Sequence, residues 1–231
     1  VSKNVVAIIP ARGGSSRIPR KNAKDFNGQP IVTWPIVACT ELDSIAQVVV
    51  STDDAELAQI AHESGATSVI DRPVELASDT AGTAPVMKHA IDELGLEDDT
   101  LVVCLYPTAT LTPALIEQAL ELAMHHPDTF VVTVGRHRSP HERSLQKVNG
   151  QLMALTSTDH LLTRTQDLPQ RYFDAGKIYV ARASVWKARE TMMEKSFVPF
   201  YLPDWAAVDI DEPDDWAVAE ALHRVFVLES S

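Results

Sequence analysis

With 231 residues, 45% of them hydrophobic and 23% charged, the chain has the balance of an ordinary globular protein and is too short for two full α/β domains. Its formal net charge of −12 argues against the extended basic surface of a nucleic-acid binder, and no apolar run approaches the roughly 20 residues that span a bilayer. A single domain over residues 1–231 is expected, with neither nucleic acid nor membrane as partner. The apolar VVAII is cut off by Pro10 and lacks a cleavage site, so no signal peptide is read and a cytoplasmic location is expected. Cys39 and Cys104 sit in apolar surroundings and read as buried thiols rather than a disulfide.

Short β-branched runs alternate along the chain with helix-patterned stretches: VVAII, AQVVVS, SVI, TLVVCLY, TFVVTVG and AGKIYVA. This rhythm predicts an α/β fold whose mostly parallel sheet is flanked by helices on both faces. After the first run comes PARGGSSRIPRKNAK, where Arg12, Arg17, Arg20, Lys21 and Lys24 precede the first acid, Asp25. A glycine-rich loop at the carboxyl end of the first strand is where open α/β sheets bind ligands. Gly13 and Gly14 let backbone amides approach phosphate oxygens, Ser15 and Ser16 offer hydroxyls, and the cations supply charge. Neither the Walker spacing nor Gly-x-Gly-x-x-Gly is present, so a nucleoside triphosphate is expected rather than a nicotinamide dinucleotide. Arg12 and Lys21 are the expected phosphate contacts.

Further along, IVTWPIVACTEL reads as a helix with a late start near Thr33, because Pro35 donates no backbone hydrogen bond. Asp53 or Thr52 is expected to cap a helix running to about Ser64, with Gly65 in a left-handed C-terminal position. Thr112 and Pro113 read as cap and first residue of a helix to roughly His125. From Arg136 to about Gln170 the alternation stops, and LQKV and QLMAL flank Asn149-Gly150, a two-residue hairpin signal. Residues 136–170 are therefore expected to form an insertion used as a flap or for subunit contact. The last helix is expected to start near Asp211, with Pro213, Asp214 and Asp215 in its first turn. Just before it, Asp209 and Asp211 stand two apart, which in extended chain points both carboxylates to one side, a donor set for Mg²⁺. In the alternative reading Asp211 only caps the helix and Asp209 is a solvated strand residue.

The stretches IIPARGGSSRIPRKN, STDDAELAQIA, RPVELASDTAGTAPV and VDIDEPDDW, in this order, resemble the acylneuraminate cytidylyltransferases, the CMP-sialic acid synthetase family. TRTQDLPQRYFDAGKIYVA, DTAGTAPVMKHAI and SPHERSL look most like its pseudaminic acid branch. The resemblance implies a Rossmann-like nucleotide-diphospho-sugar transferase fold, a homodimer in which the insertion approaches the partner's sugar site, and an Mg²⁺-dependent reaction. CTP and a nine-carbon nonulosonic acid would give the CMP-sugar and pyrophosphate. Carried over by motif, Arg12, Gly14, Lys21 and Asn22 would contact CTP, Arg72, Ser78 and Thr83 would surround cytosine and ribose, and Asp209 and Asp211 would hold the metal. Arg12, Lys21 and Asp211 are the expected catalytic residues. For the sugar, the resemblance points to Tyr106 and Thr108 after the fourth strand, and to Arg164, Gln166 and Asp174 near the end of the insertion. Arg164 is either a partner of the sugar carboxylate or a member of a surface or interface ion pair. The family commonly shows Gln-Pro-Thr-Ser where this chain has Tyr106-Pro107-Thr108-Ala109, a departure that favours a less hydroxylated sugar over N-acetylneuraminate. N-acetylneuraminate, legionaminate and 3-deoxy-manno-octulosonate remain the alternative acceptors, and a nucleotide-binding regulator on the same fold the non-enzymatic alternative. Lys177 interrupts an apolar strand without an evident role.

Overall fold

The computed structural model describes residues 5–78, 80–155 and 157–229. In chain order the elements are β1 (Val5–Pro10), the hairpin β2 (Asp25–Phe26) and β3 (Gln29–Pro30), α1 (Thr33–Thr40), β4 (Ile45–Thr52), α2 (Ala55–Glu63) and β5 (Ser68–Asp71). Then come α3 (Thr83–Glu93), β6 (Leu101–Leu105), α4 (Pro113–Met124), β7 (Val131–Arg136), β8 (Leu145–Val148), β9 (Gln151–Ala154) and α5 (Thr158–Leu162). The chain closes with β10 (Tyr172–Arg182), α6 (Ala183–Ala188), β11 (Val198–Tyr201) and α7 (Pro213–His223).

Seven strands form one sheet in the order β11-β7-β10-β6-β1-β4-β5. β1 lies parallel to β4 and β6, with Ala7 opposite Val48 on one side and Val103 on the other. β10 alone runs against its neighbours, pairing Val180 with Val103 of β6 and Val131 of β7. The expected mostly parallel sheet is therefore present. Sequence reading missed β11, whose Pro199 lowers its strand signal; as an edge strand β11 tolerates a proline.

Both faces of the sheet are covered, which explains why its central strands read as apolar runs rather than alternations. Ile9, Val50, Leu105 and Ile178 point towards Ile36 of α1, Leu57 of α2 and Ile116 of α4. Ile8, Val49, Val102 and Val132 point the other way, towards Met87 and Ile91 of α3 and Trp186 of α6. Trp186 is fully buried, edge-on to Phe130 at 4.6 Å, and its indole N–H donates to Val102 O, so its polar edge is satisfied. Burial of each such side chain stabilises the fold by about 1.5–3 kcal/mol. Cys39 and Cys104 lie as buried thiols, one in each layer.

Helix ends follow local chemistry. Thr112 caps α4 by accepting from Leu115 N, with Pro113 as first residue, and α1 starts at Thr33 as expected. At α2 the cap is Asp54, accepting from Leu57 N at 3.0 Å, and not Asp53 or Thr52; Asp53 turns instead to the loop after β1. α7 begins at Pro213 with Glu212 as its cap, two residues beyond Asp211, and Asp215 completes a capping box with Glu212. Asp211 is thereby left outside the helix.

A third cluster, of Ile18, Phe26, Ile31, Ile210 and Trp216, packs the loop after β1 onto the segment before α7. Residues nearly two hundred positions apart are thus held together from below. Between β7 and β10, the β8–β9 hairpin pairs only with itself, and Asn149 and Gly150 both take positive φ, the type I′ requirement. Arg143 donates to Leu161 O and Thr163 O, and Arg171 pairs with Glu142 at 2.9 Å, fastening the base of this segment. Among the described residues no helix is long and apolar enough to cross a membrane.

Candidate active site

From β1 the chain passes to β4 on one side and the next sheet neighbour on the other side is β6, so the carboxyl ends of β1 and β6 flank a switch point in strand order. Ligands of open α/β sheets bind at such crevices because the two outgoing loops diverge there. A cleft of about 400 Å³ opens at this place.

Its first wall is the loop after β1. Ala11 N continues the sheet ladder to Ser51 O, and Gly13 N then donates to Asp53 Oδ1 at 2.9 Å. A Cβ on Gly13 would lie 2.6 Å from Asp54 Oδ2, so glycine is required here by close approach. Arg20 pairs with Asp54 and Glu56, which fixes the loop to the start of α2 and raises its own pKa mainly through the Asp54 hydrogen bond. Asn22 closes the loop by donating to Arg12 O at 2.9 Å. Arg12, Gly14, Ser15, Lys21 and Asn22 line the cleft; Gly13 lies behind it, its amide committed to Asp53.

Lys21 reaches across to Ile210 O at 2.5 Å. Burial pushes its pKa down, while Asp209 and Asp211 push it up. The Ile210 side chain is buried in the cluster below, so its two aspartate neighbours both face the cleft. Arg17 pairs with Asp211 at 2.7 Å. Asp215 instead accepts from Asp211 N and Glu212 N, which holds its pKa below the usual carboxylate range. Two carboxylates beside a cationic loop suit Mg²⁺, which typically takes one or two protein carboxylates and fills its octahedron with phosphate and water. No group of three or more His, Cys, Asp or Glu side chains able to hold a metal exists among the described residues.

Along the side towards α3 stand Arg72, Ser78 and Thr83, all lining the cleft. Arg72 is buried, donates to Ser51 O and Ser51 Oγ, and has its pKa lowered by burial. Thr83, at the first turn of α3, bonds the hydroxyl of Tyr106.

The opposite wall comes from the loop after β6 and from β10, which lies beside β6. Tyr106 and Thr108 line it, with the Tyr106 pKa pushed up to about 12 by burial. Tyr106 N donates to Lys177 O at 3.0 Å, and the ring meets Tyr179 edge-on. Asp174 is behind the wall: it accepts from Tyr179 Oη at 2.8 and 2.9 Å and from Gly176 N at 3.0 Å. Arg164 and Gln166 do not line the cleft; Arg164 is 73% exposed and pairs with Asp167 at 2.7 Å. Lys177, Tyr179 and Arg17 line the cleft although sequence reading gave them no site role. A lysine inside an apolar strand was the available signal for Lys177.

A model of the cytidylyltransferase family matches residues 6–206. The chain is 31% identical to the pseudaminic acid cytidylyltransferase of Campylobacter jejuni, over 95% of this chain and 96% of that protein. It is 29% identical to the CMP-N,N'-diacetyllegionaminic acid synthase of Legionella pneumophila, covering 94% of this chain and 95% of that one. In fold it matches a CMP:2-keto-3-deoxy-manno-octonic acid synthetase solved with CTP, at a TM-score of 0.67 and 20% identity over 97% of this chain and 99% of the other.

Proposed function

Since this chain belongs to the cytidylyltransferase family, we propose that it transfers CMP from CTP to the anomeric hydroxyl of a nonulosonic acid, with pseudaminic acid the favoured acceptor. The observation that carries this reading is a single cleft lined by a cationic glycine loop, two carboxylates and a separate wall of tyrosine, threonine and lysine. The C2 hydroxyl oxygen attacks the α-phosphorus, the bond from that phosphorus to the bridging oxygen breaks, pyrophosphate leaves with the electron pair, and the hydroxyl proton passes to solvent.

Arg12 and Lys21 hold the phosphates and offset charge that builds on their oxygens, while Gly14, Ser15 and Asn22 shape the loop around them. Arg72, Ser78 and Thr83 border the nucleoside, and Tyr106 and Thr108 border the sugar. Asp209 and Asp211 would hold Mg²⁺, which when bound neutralises phosphate charge and polarises the reacting phosphoryl group. Arg17 pairs with one carboxylate oxygen of Asp211 and so borders this pair.

A homodimer is part of the proposal. Leu145, Leu152, Met153, Leu155 and Leu162 are exposed on the 136–170 segment, an apolar surface that a second copy would cover, bringing Arg164 and Gln166 near the partner's cleft. The proposal includes a cytoplasmic location.

The test is pyrophosphate release from CTP with pseudaminic, N-acetylneuraminic, legionaminic and 3-deoxy-manno-octulosonic acids. Pseudaminate should give the highest kcat/KM. Turnover of another acid alone would overturn the choice of sugar, and CTP binding without turnover of any acid would favour a regulator.

A further inference from the structure

We propose that Lys177 binds the carboxylate of the acceptor sugar acid, and so makes the enzyme select an acid over a neutral sugar. The inference rests on the cytidylyltransferase reading of the cleft.

Lys177 stands on β10 two positions before Tyr179, and both side chains line the cleft wall next to the loop after β6. Its residue is 3% exposed. A buried ammonium group has three donors, and leaving them unpaired costs several kcal/mol. Nζ makes one long hydrogen bond, to Thr108 Oγ1 at 3.4 Å. Asp209 and Asp211 act on it only through space, Lys21 opposes them, and burial leaves its pKa near 8. The chain thus keeps a poorly compensated cation at the edge of a cavity, an arrangement that an incoming anion would complete.

Two anions enter this cleft. The triphosphate is served by Arg12 and Lys21 on the loop after β1. Lys177 belongs to the other wall: it and Tyr179 stand on β10, on the far side of β6 from β1, and Tyr106 and Thr108 stand on the loop after β6. A carboxylate on the carbon that bears the attacking hydroxyl would fall between that wall and the phosphates; within one chain Arg164 lies outside the cleft, paired with Asp167.

Pyrophosphate release is measured for the wild type and Lys177→Met with CTP and either the sugar acid or its C1 carboxamide. The wild type should prefer the acid by about 10- to 100-fold in kcat/KM, the range for a hydrogen bond to a charged group. Lys177→Met should bring the two acceptors within about threefold of each other and leave KM for CTP within about twofold of wild type. Preference for the acid retained in Lys177→Met, or a matching rise in KM for CTP, would overturn the assignment. A wild type that treats acid and carboxamide alike would overturn it without any variant, and Lys177→Gln replaces Lys177→Met should the latter not fold. Wild-type protein that turns over no sugar acid would instead remove the functional reading and this inference together.

Discussion

Replacing Lys21 with alanine removes a side chain that, like Arg17, links the loop after β1 to the segment of the carboxylate pair. Its Nζ lies 2.5 Å from Ile210 O, with Asp209 and Asp211 acting on it from either side of that carbonyl. In the free protein the loss is small, because the lost hydrogen bond is offset by relief of a desolvated cation. A net change within about 1 kcal/mol, or roughly 2–4 °C in Tm, is expected for a chain of this size. The packing of Ile18, Phe26, Ile210 and Trp216 holds the two segments together without Lys21. Turnover is different, because charge builds on the phosphoryl oxygens only as pyrophosphate departs. Loss of one preorganised donor there costs about 100- to 1,000-fold in kcat, roughly 3–4 kcal/mol at the transition state. The assay is steady-state pyrophosphate release with thermal melting of the same preparations. A Lys21→Ala enzyme with kcat/KM within about threefold of wild type would refute the role, and a protein that no longer melts cooperatively would refute the claim that the role is separate from folding.

Gly13→Ala should push Asp54 out of its cap position, lower stability by about 1–2 kcal/mol in urea unfolding and raise KM for CTP, because the new Cβ meets Asp54 at 2.6 Å. Unchanged unfolding would show that the loop yields freely. Chelation with EDTA should stop pyrophosphate release and Mg²⁺ restore it, with Asp209→Asn and Asp211→Asn each raising the half-maximal Mg²⁺ concentration at least about tenfold; equal Mg²⁺ dependence in all three proteins would remove the pair from metal binding. His223 is buried, accepts at Nδ1 from Asn27 Nδ2, and has its pKa pushed down to about 4 by burial. The unfolded chain binds this proton near pH 6.5, so the stabilising contribution is present above that value and is lost as pH falls towards 4, by up to about 3 kcal/mol. Urea midpoints should fall over that window in the wild type and less steeply in His223→Gln; parallel slopes would exclude His223 as the cause.

Sequence patterns made the six strong strands and the main helix starts legible because those signals are local: β-branched runs, Thr112-Pro113, the Asn149-Gly150 turn. Two adjacent acids carry no such distinction. Asp54 caps α2 and Asp53 turns to Gly13 N, an outcome set by where the loop after β1 passes, not by residue type. The same limit explains Asp174, whose carboxylate holds Tyr179 from behind the cleft.

What the sequence determined by itself was the alternation that makes a covered, mostly parallel sheet, and the chemical character of each candidate group: cations with glycines after one strand, carboxylates two apart before a helix. Which groups share one cleft was decided by strand order. Placing β1 against β6, and running β10 back along β6, brings residues 12–22, 72–78, 81–83, 106–108, 177–179 and 209–211 to one edge of the sheet. Burial of Ile210 turns its two neighbours into that cleft, and pairing of β10 with β6 buries Lys177 beside it. Register and packing are properties of the whole chain, and no window of local sequence contains them.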